Sequence, residues 1–221
     1  MFVQKKFTHI ESKFTFNDLS SETTEEGRYY LGENNKKLPS VTTVTGWAKK
    51  QFFAKWRAKN PKEAKRVTRR GNKLHSVIED YLNNKKLVLS EIPPLECDLF
   101  LQLKPELDKI DNIVALEVPL YSSKIGLAGR VDCVGEYDGE LCVIDFKGST
   151  RDKEKKHIEN YMLQATAYCL LWEDMTGEKI DKFKILVSCE TGSTQVFGGS
   201  PSKWVKPLVE ATKYFWKEHI G

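Results

Sequence analysis

No run of apolar residues in this 221-residue chain approaches the roughly 20 needed to cross a bilayer. No membrane association is therefore expected. The opening residues, MFVQKKFTHIESKF, contain neither the apolar core of a secretory signal nor any arginine, and Glu11 comes early. Export and organelle import find no support there, so an intracellular, cytoplasmic location is expected (the host cytoplasm for a viral chain), with a mitochondrial one left open. Cysteine is sparse: five residues at 97, 133, 142, 169 and 189, odd in number and without a C-x-x-C. Such a set does not make a disulfide framework or a metal-cluster cradle, and reads as reduced core thiols. There is no Gly-rich phosphate loop of the Walker A type and no G-x-S-x-G, which removes support for NTPase and serine-hydrolase chemistry. Repeats and low-complexity tracts are absent too. What remains, 40% hydrophobic and 30% charged residues, suits one globular unit with a full core.

Acid is what residues 49–73 lack. Eleven lysines and arginines there face a single carboxylate, Glu63, so the segment carries about +10 within a chain of net +4. A solvated helix face normally mixes signs for i,i+4 pairing. A one-signed stripe points to an anionic partner, nucleic acid being the commonest; a plain basic surface is the alternative. Arg66, Arg69, Arg70 and Lys73 are the candidate phosphate contacts. Phe52, Phe53 and Trp56 either stack on bases or pack as core.

The chemistry concentrates in residues 126–148, GLAGRVDCVGEYDGELCVIDFKG. Two strands, 127–137 and 141–146, are expected around an Asp138-Gly139 turn. Asp145 and Lys147 are two apart, so on a strand their side chains leave one face. Asp132 on the neighbouring strand can reach them. Two acids in an apolar strand context repel each other unless a cation holds them. Oxygen ligands on strands with a lysine beside them describe a hard-metal site for phosphodiester hydrolysis; capping residues and a surface salt bridge are the bland alternative.

In chain order, residues 1–27 read as an irregular arm or short strand. A strand at 28–31, a turn at 32–35 and a return at 37–41 follow, and Ser40 or Thr42 caps a helix through Ala48. A basic helix spans 51–59. Pro61 starts a helix to about 83, on which Val67, Leu74, Ile78 and Tyr81 form the apolar face. His75 and Glu79 share a face at its border, with Gly71 leaving that face bare. A helix over 95–110 precedes a strand over 113–121, IVALEVPLY. Beyond the hairpin, a helix over 158–175 carries Tyr161, Gln164 and Tyr168 on one face. Strands at 183–189 and 194–197 and a final helix to about 218 complete an α/β fold. A central mixed sheet is flanked by helices, with an N-terminal helical lobe. The division expected is an arm and basic helical lobe over 1–110 and an α/β core over 111–221.

The ordered set Gly71-x-x-x-His75-x-x-x-Glu79, GRVD at 129–132, IDFK at 144–147 and Gln164-x-x-x-Tyr168 resembles the RecB-type exonuclease branch of the PD-(D/E)xK nucleases. LPSVT at 38–42 extends the likeness, which covers about residues 38–175; this stretch is similar to mitochondrial and phage members of the branch. The resemblance implies a restriction-endonuclease-like core and Mg²⁺ or Mn²⁺ bound by His75, Asp132, Asp145 and the Phe146 carbonyl. Glu79 would be an outer partner or a ligand to a second ion. Lys147 would orient the attacking water or stabilise transition-state charge. Gln164 and Tyr168 would position that water, Lys147 or the scissile phosphate. Ser40 and Thr42 join the DNA contacts. The cysteines do not match the pattern of iron–sulfur relatives, so no such cluster is expected. The function implied is a metal-dependent DNA exonuclease, a monomer favouring single strands with a free end, in DNA processing, repair or replication, with replication or recombination proteins as partners. A double-strand exonuclease or structure-selective endonuclease on the same fold, or a non-catalytic DNA-binding module, is the alternative.

Overall fold

The computed structural model describes residues 2–32 and 36–220; residues 33–35 of the turn expected at 32–35 lie outside the described residues. A small antiparallel sheet comes first: β1 (Ser21–Thr23), β2 (Arg28–Leu31) and β3 (Lys37–Pro39). Helices α1 (Val41–Gly46), α2 (Lys50–Lys59), α3 (Pro61–Leu82) and α4 (Pro94–Leu107) follow. The central sheet takes β4 (Ile110–Ser122), β5 (Leu127–Tyr137), β6 (Glu140–Ser149), β7 (Phe183–Cys189) and β8 (Thr194–Gly199) in that spatial order. Helix α5 (Glu159–Thr176) joins β6 to β7, and α6 (Val205–Ile220) closes the chain.

The sheet is mixed because β6 and β7 pair in parallel across α5 while every other neighbour is antiparallel. The tight β5–β6 connection follows from Asp138 and Gly139, both at positive φ (51° and 78°), the twist a two-residue hairpin needs. Helices cover both faces. On one, α1, α5 and α6 pack with Val143, Phe183, Ile185 and Val187; on the other, α3 and α4 pack with Cys142, Ile144, Phe146 and Leu186. The alternation along β6 is the two-residue period of a strand buried on both sides. Helix α5 is buried nearly all round from Met162 to Trp172, as expected of a helix inside a core rather than on it.

The first 110 residues thus supply one covering layer of the sheet through α3 and α4, and Phe7 of the arm enters the same apolar cluster. Helix α2 is different. None of its residues is buried, and Phe52 is 67% exposed. The core alternative for Phe52 and Phe53 is therefore set aside: the rings meet each other at 5.4 Å and remain exposed. The helix cap falls to Ser40, whose side chain accepts from the Thr43 N–H, while Thr42 stays exposed. The five cysteines are free thiols, four of them buried. No helix among the described residues is long and apolar enough to cross a membrane.

Candidate active site

The site opens where the central hairpin comes apart. The β5–β6 ladder ends at Cys133–Ile144. The next residues in register, Asp132 and Asp145, are no longer paired through their backbones. Instead the Asp132 carboxylate takes over as acceptor, Oδ2 receiving the Phe146 N–H at 2.8 Å. A side chain has replaced a ladder carbonyl, and the strands splay around the two acids.

Asp145 is almost wholly buried (1% exposed). Its Oδ1 accepts from Lys147 Nζ at 2.7 Å and from Gln164 Nε2 at 3.0 Å. Oδ2 lies 2.6 Å from Lys147 Nζ but makes no hydrogen bond. Burial pushes the Asp145 carboxyl up, Lys147 pulls it back and Asp132 adds to the rise. Burial also works against the Lys147 ammonium, but Asp145 and Asp132 outweigh it and hold Lys147 above the usual lysine range. Burial thus works against charge on both groups, and their mutual attraction opposes it.

Helix α3 brings His75 to the open side of the strands. Its position follows from the helical period: Arg70, Leu74, Val77, Ile78 and Tyr81 are the buried face, and His75 lies at that face's edge. Nδ1 stands 3.7 Å from Asp132 Oδ2 and 3.8 Å from Glu117 Oε1. Burial alone would lower the imidazole, but Asp132 and Glu117 raise it further, to about 9. Negative charge is therefore concentrated where His75 points. One ligand atom each from His75, Glu117 and Asp132 falls within 4.8 Å of the others. Glu117 has no role in the sequence reading. It is the single charged residue in IVALEVPLY, and a lone acid in an apolar strand run is the signal that could have found it.

These residues border a cavity of about 610 Å³ between α3 and the sheet, lined by His75, Glu79, Glu117, Asp132, Lys147, Gln164 and Tyr168, with Ser40 and Thr42 at its rim. Glu79 is in this cavity but outside the His75 trio. The α3 side is open at Gly71, where a Cβ would meet nothing within 4 Å. Opposite, Gly129 is needed for close approach: a Cβ would sit 2.8 Å from Tyr168 Cε1. Gly129→Ala is expected to cost about 1–3 kcal/mol by overpacking and to displace Tyr168 from the cavity wall. Tyr168→Ala in the same chain should remove most of the extra cost, and a thermal-denaturation double-mutant cycle measures the coupling.

The candidate DNA contacts separate. Arg69 is exposed and Lys73 half-buried on the outer face of α3, and neither makes an ion pair among the described residues. Arg66 is held between Glu63 and Glu190. Arg70, expected among the surface cations, is 2% exposed, with its guanidinium on Glu190 and the Gly148 carbonyl. The reason is spacing: Arg70 lies four residues before Leu74 and so on the buried face. Glu190 arrives from far along the chain and neutralises part of a stripe that looks one-signed in sequence.

The donor set fits a hard divalent cation: one imidazole and two carboxylates on neighbouring strands, with a ligand atom of each within 4.8 Å of the others. The family model and the sequence relatives point to a nuclease. Residues 94–194 match the family model of the PD-(D/E)XK nuclease superfamily. Mitochondrial genome maintenance exonuclease 1 of Mus musculus is 32% identical over 101 residues, covering 44% of this chain and 29% of the mouse protein. The Homo sapiens protein of that name is 28% identical over 148 residues, covering 59% of this chain and 42% of its own length. The chain thus spans less than half the length of these curated relatives. A crystal structure of a candidate exonuclease from Eubacterium rectale aligns with a TM-score of 0.47 at 12% identity, over 66% of this chain and 64% of that one. Motifs, sheet topology and family model converge on one statement: this chain is similar to the PD-(D/E)XK nucleases through the strands that carry Asp132, Asp145 and Lys147.

Proposed function

We propose that this chain is a divalent-cation-dependent deoxyribonuclease, an exonuclease that takes single-stranded DNA by a free end. The observation that carries the reading is the splayed β5–β6 pair. It holds Asp132 and the Asp145–Lys147 pair against one cavity, with His75 facing them from α3. The relatives named as mitochondrial genome maintenance exonucleases support a DNA substrate and a role in DNA processing. The division at about residue 110 belongs to the same proposal. The first part brings His75 and the basic face, the second Asp132, Asp145 and Lys147.

In this reading His75, Asp132, Asp145 and the Phe146 carbonyl hold Mg²⁺ or Mn²⁺, and Glu79 acts from the cavity wall. The cation supplies Lewis-acid polarisation of the phosphodiester and makes water nucleophilic at neutral pH. Lys147, fixed on Asp145, places a positive charge where charge develops as the phosphorus–oxygen bond breaks. Gln164 fixes the Asp145 oxygen that Lys147 also uses, and so sets the orientation of both. Tyr168 closes the wall below Gly129. Thr42 and Ser40 at the rim, with Arg69 and Lys73 outside, guide the strand through phosphate contacts, which position without reading sequence. Phe52 and Phe53 on α2 offer exposed rings on which bases can stack.

End-labelled single- and double-stranded oligonucleotides, linear and circular, incubated with Mg²⁺, Mn²⁺ or EDTA, test this directly. Terminal nucleotides released from linear single strands only, and none in EDTA, are expected. Cleavage of circles would move the reading to an endonuclease on the same fold, and binding without cleavage to a DNA-binding module.

The basic face gives a separate prediction. Arg69→Gln with Lys73→Gln is expected to lower the slope of log K against log salt by about 1.4, roughly 0.7 per lost phosphate contact on a single strand. Arg66→Gln should move the slope less, since Glu63 and Glu190 already neutralise that guanidinium. Filter binding across a salt series, with metal-free protein, reads the slopes. An unchanged slope in the double variant would take α3 out of the DNA path.

A further inference from the structure

Glu117 is the acid the nuclease reading leaves without a task. It lies on β4, the edge strand, whose register to β5 runs Leu116–Cys133 and Val118–Val131. That places Glu117 directly across from Asp132, on the same face. Like charges in a cross-strand pair are destabilising unless something between them compensates, and the His75 imidazole is the group that faces both here. Glu117 is also at φ 49°, a conformation a side chain of this size rarely adopts. Arg130 of β5 donates to its carbonyl and fixes the bend. The chain therefore holds a second carboxylate against the first rather than letting it turn to solvent. Its Oε1 lies 3.8 Å from His75 Nδ1 and within 4.8 Å of a ligand atom of Asp132. Asp145, 1% exposed and paired with Lys147 through both carboxylate oxygens, adds a further acid at the same end of the hairpin.

We propose that Glu117 is a direct ligand of the divalent cation, giving the site a His75–Glu117–Asp132 face drawn from α3, β4 and β5. The inference rests on the nuclease reading for the identity of the site, but its test is a binding measurement. Arg130 is then a positioning residue, acting through the backbone of Glu117.

Mn²⁺ titration by calorimetry, with electron paramagnetic resonance of the bound ion, is carried out on the full chain and on Glu117→Gln, Asp132→Asn and Glu79→Gln. Loss of an outer partner of a metal ligand costs about 10- to 100-fold, so Glu117→Gln is expected to weaken Mn²⁺ at least about tenfold. The deficit should persist between about 0.05 and 0.5 M salt, where a purely long-range charge effect is screened away. Glu79→Gln should show a smaller change that salt removes. Glu117→Ala, which removes the carboxylate altogether, should reproduce the deficit; circular dichroism verifies that each variant is folded. Native Mn²⁺ affinity in Glu117→Gln, or a deficit that disappears in salt, overturns the proposal while Asp132→Asn still weakens binding. If Asp132→Asn also binds Mn²⁺ like the native chain, the nuclease site itself is wrong and Glu117 falls with it.

Discussion

Asp132→Asn is expected to lower DNA cleavage by more than about a hundredfold, because removing only an outer partner of a metal ligand already costs about 10- to 100-fold. The substitution is nearly isosteric. The amide oxygen of Asn can still accept the Phe146 N–H that Asp132 Oδ2 holds at 2.8 Å, so the splayed end of the hairpin keeps its geometry. What disappears is charge. Without it the pair with Glu117 is no longer like-signed, and the repulsion between Asp132 and the buried Asp145 carboxylate is relieved. The attraction of Asp132 to His75 and Lys147 is lost as well, so the two effects oppose each other and thermal stability should change little while turnover collapses. DNA affinity measured in EDTA should be unchanged or tighter, since one negative charge facing the phosphates is gone. Single-turnover cleavage, a melting curve and a binding isotherm on the same preparation separate these effects. Native turnover would remove Asp132 from the site; loss of fold together with activity would show it to be structural.

The contrast between readable and unreadable residues follows from how far away their partners lie. Asp132, Asp145 and Lys147 were legible because a hairpin is local. The Asp138-Gly139 turn fixes register, register fixes which residues oppose, and the two-residue period fixes the face. Gln164 and Tyr168 were legible from a four-residue helical spacing, and His75 and Gly71 from the same rule on α3. The central sheet and its flanking helices were likewise carried by periodicity, with element ends moving by only a few residues. Arg70 was placed among the surface cations because composition was counted without the helical phase. Its spacing to Leu74 assigns it to the buried face, but its partner Glu190 is 120 residues away, and no local pattern pairs the two. Glu117 stood out in sequence as the lone acid of IVALEVPLY, but its neighbours came only with the strand register and the approach of α3. The exposed state of Phe52 and Phe53 was equally non-local, since an aromatic pair on a helix is core or surface according to what packs against it.

Lys147→Ala is expected to lose about 10²–10³-fold in turnover, the range found for removing one preorganised group that stabilises transition-state charge. It should also lose stability, and the two losses have different origins. Asp145 is buried with Lys147 as its ion-pair partner. Breaking a buried pair from one side leaves an uncompensated charge and costs about 3–5 kcal/mol. Gln164 still donates to Oδ1, but one neutral amide does not replace an ammonium. Replacing both partners by neutral groups of similar volume removes the uncompensated charge, and such exchanges are often neutral or stabilising. Asp145→Asn/Lys147→Met is therefore expected to recover the stability lost by Lys147→Ala and to recover no turnover. Urea denaturation gives the stabilities and single-turnover cleavage the rates. Mn²⁺ calorimetry on Lys147→Ala adds the deciding observation: a lysine that acts on the transition state leaves metal affinity at or above the native value, because a competing positive charge has gone. If Mn²⁺ binding is lost while Lys147→Ala remains folded, Lys147 serves to hold Asp145 in place for the cation, and the role assigned to it in the chemical step is wrong.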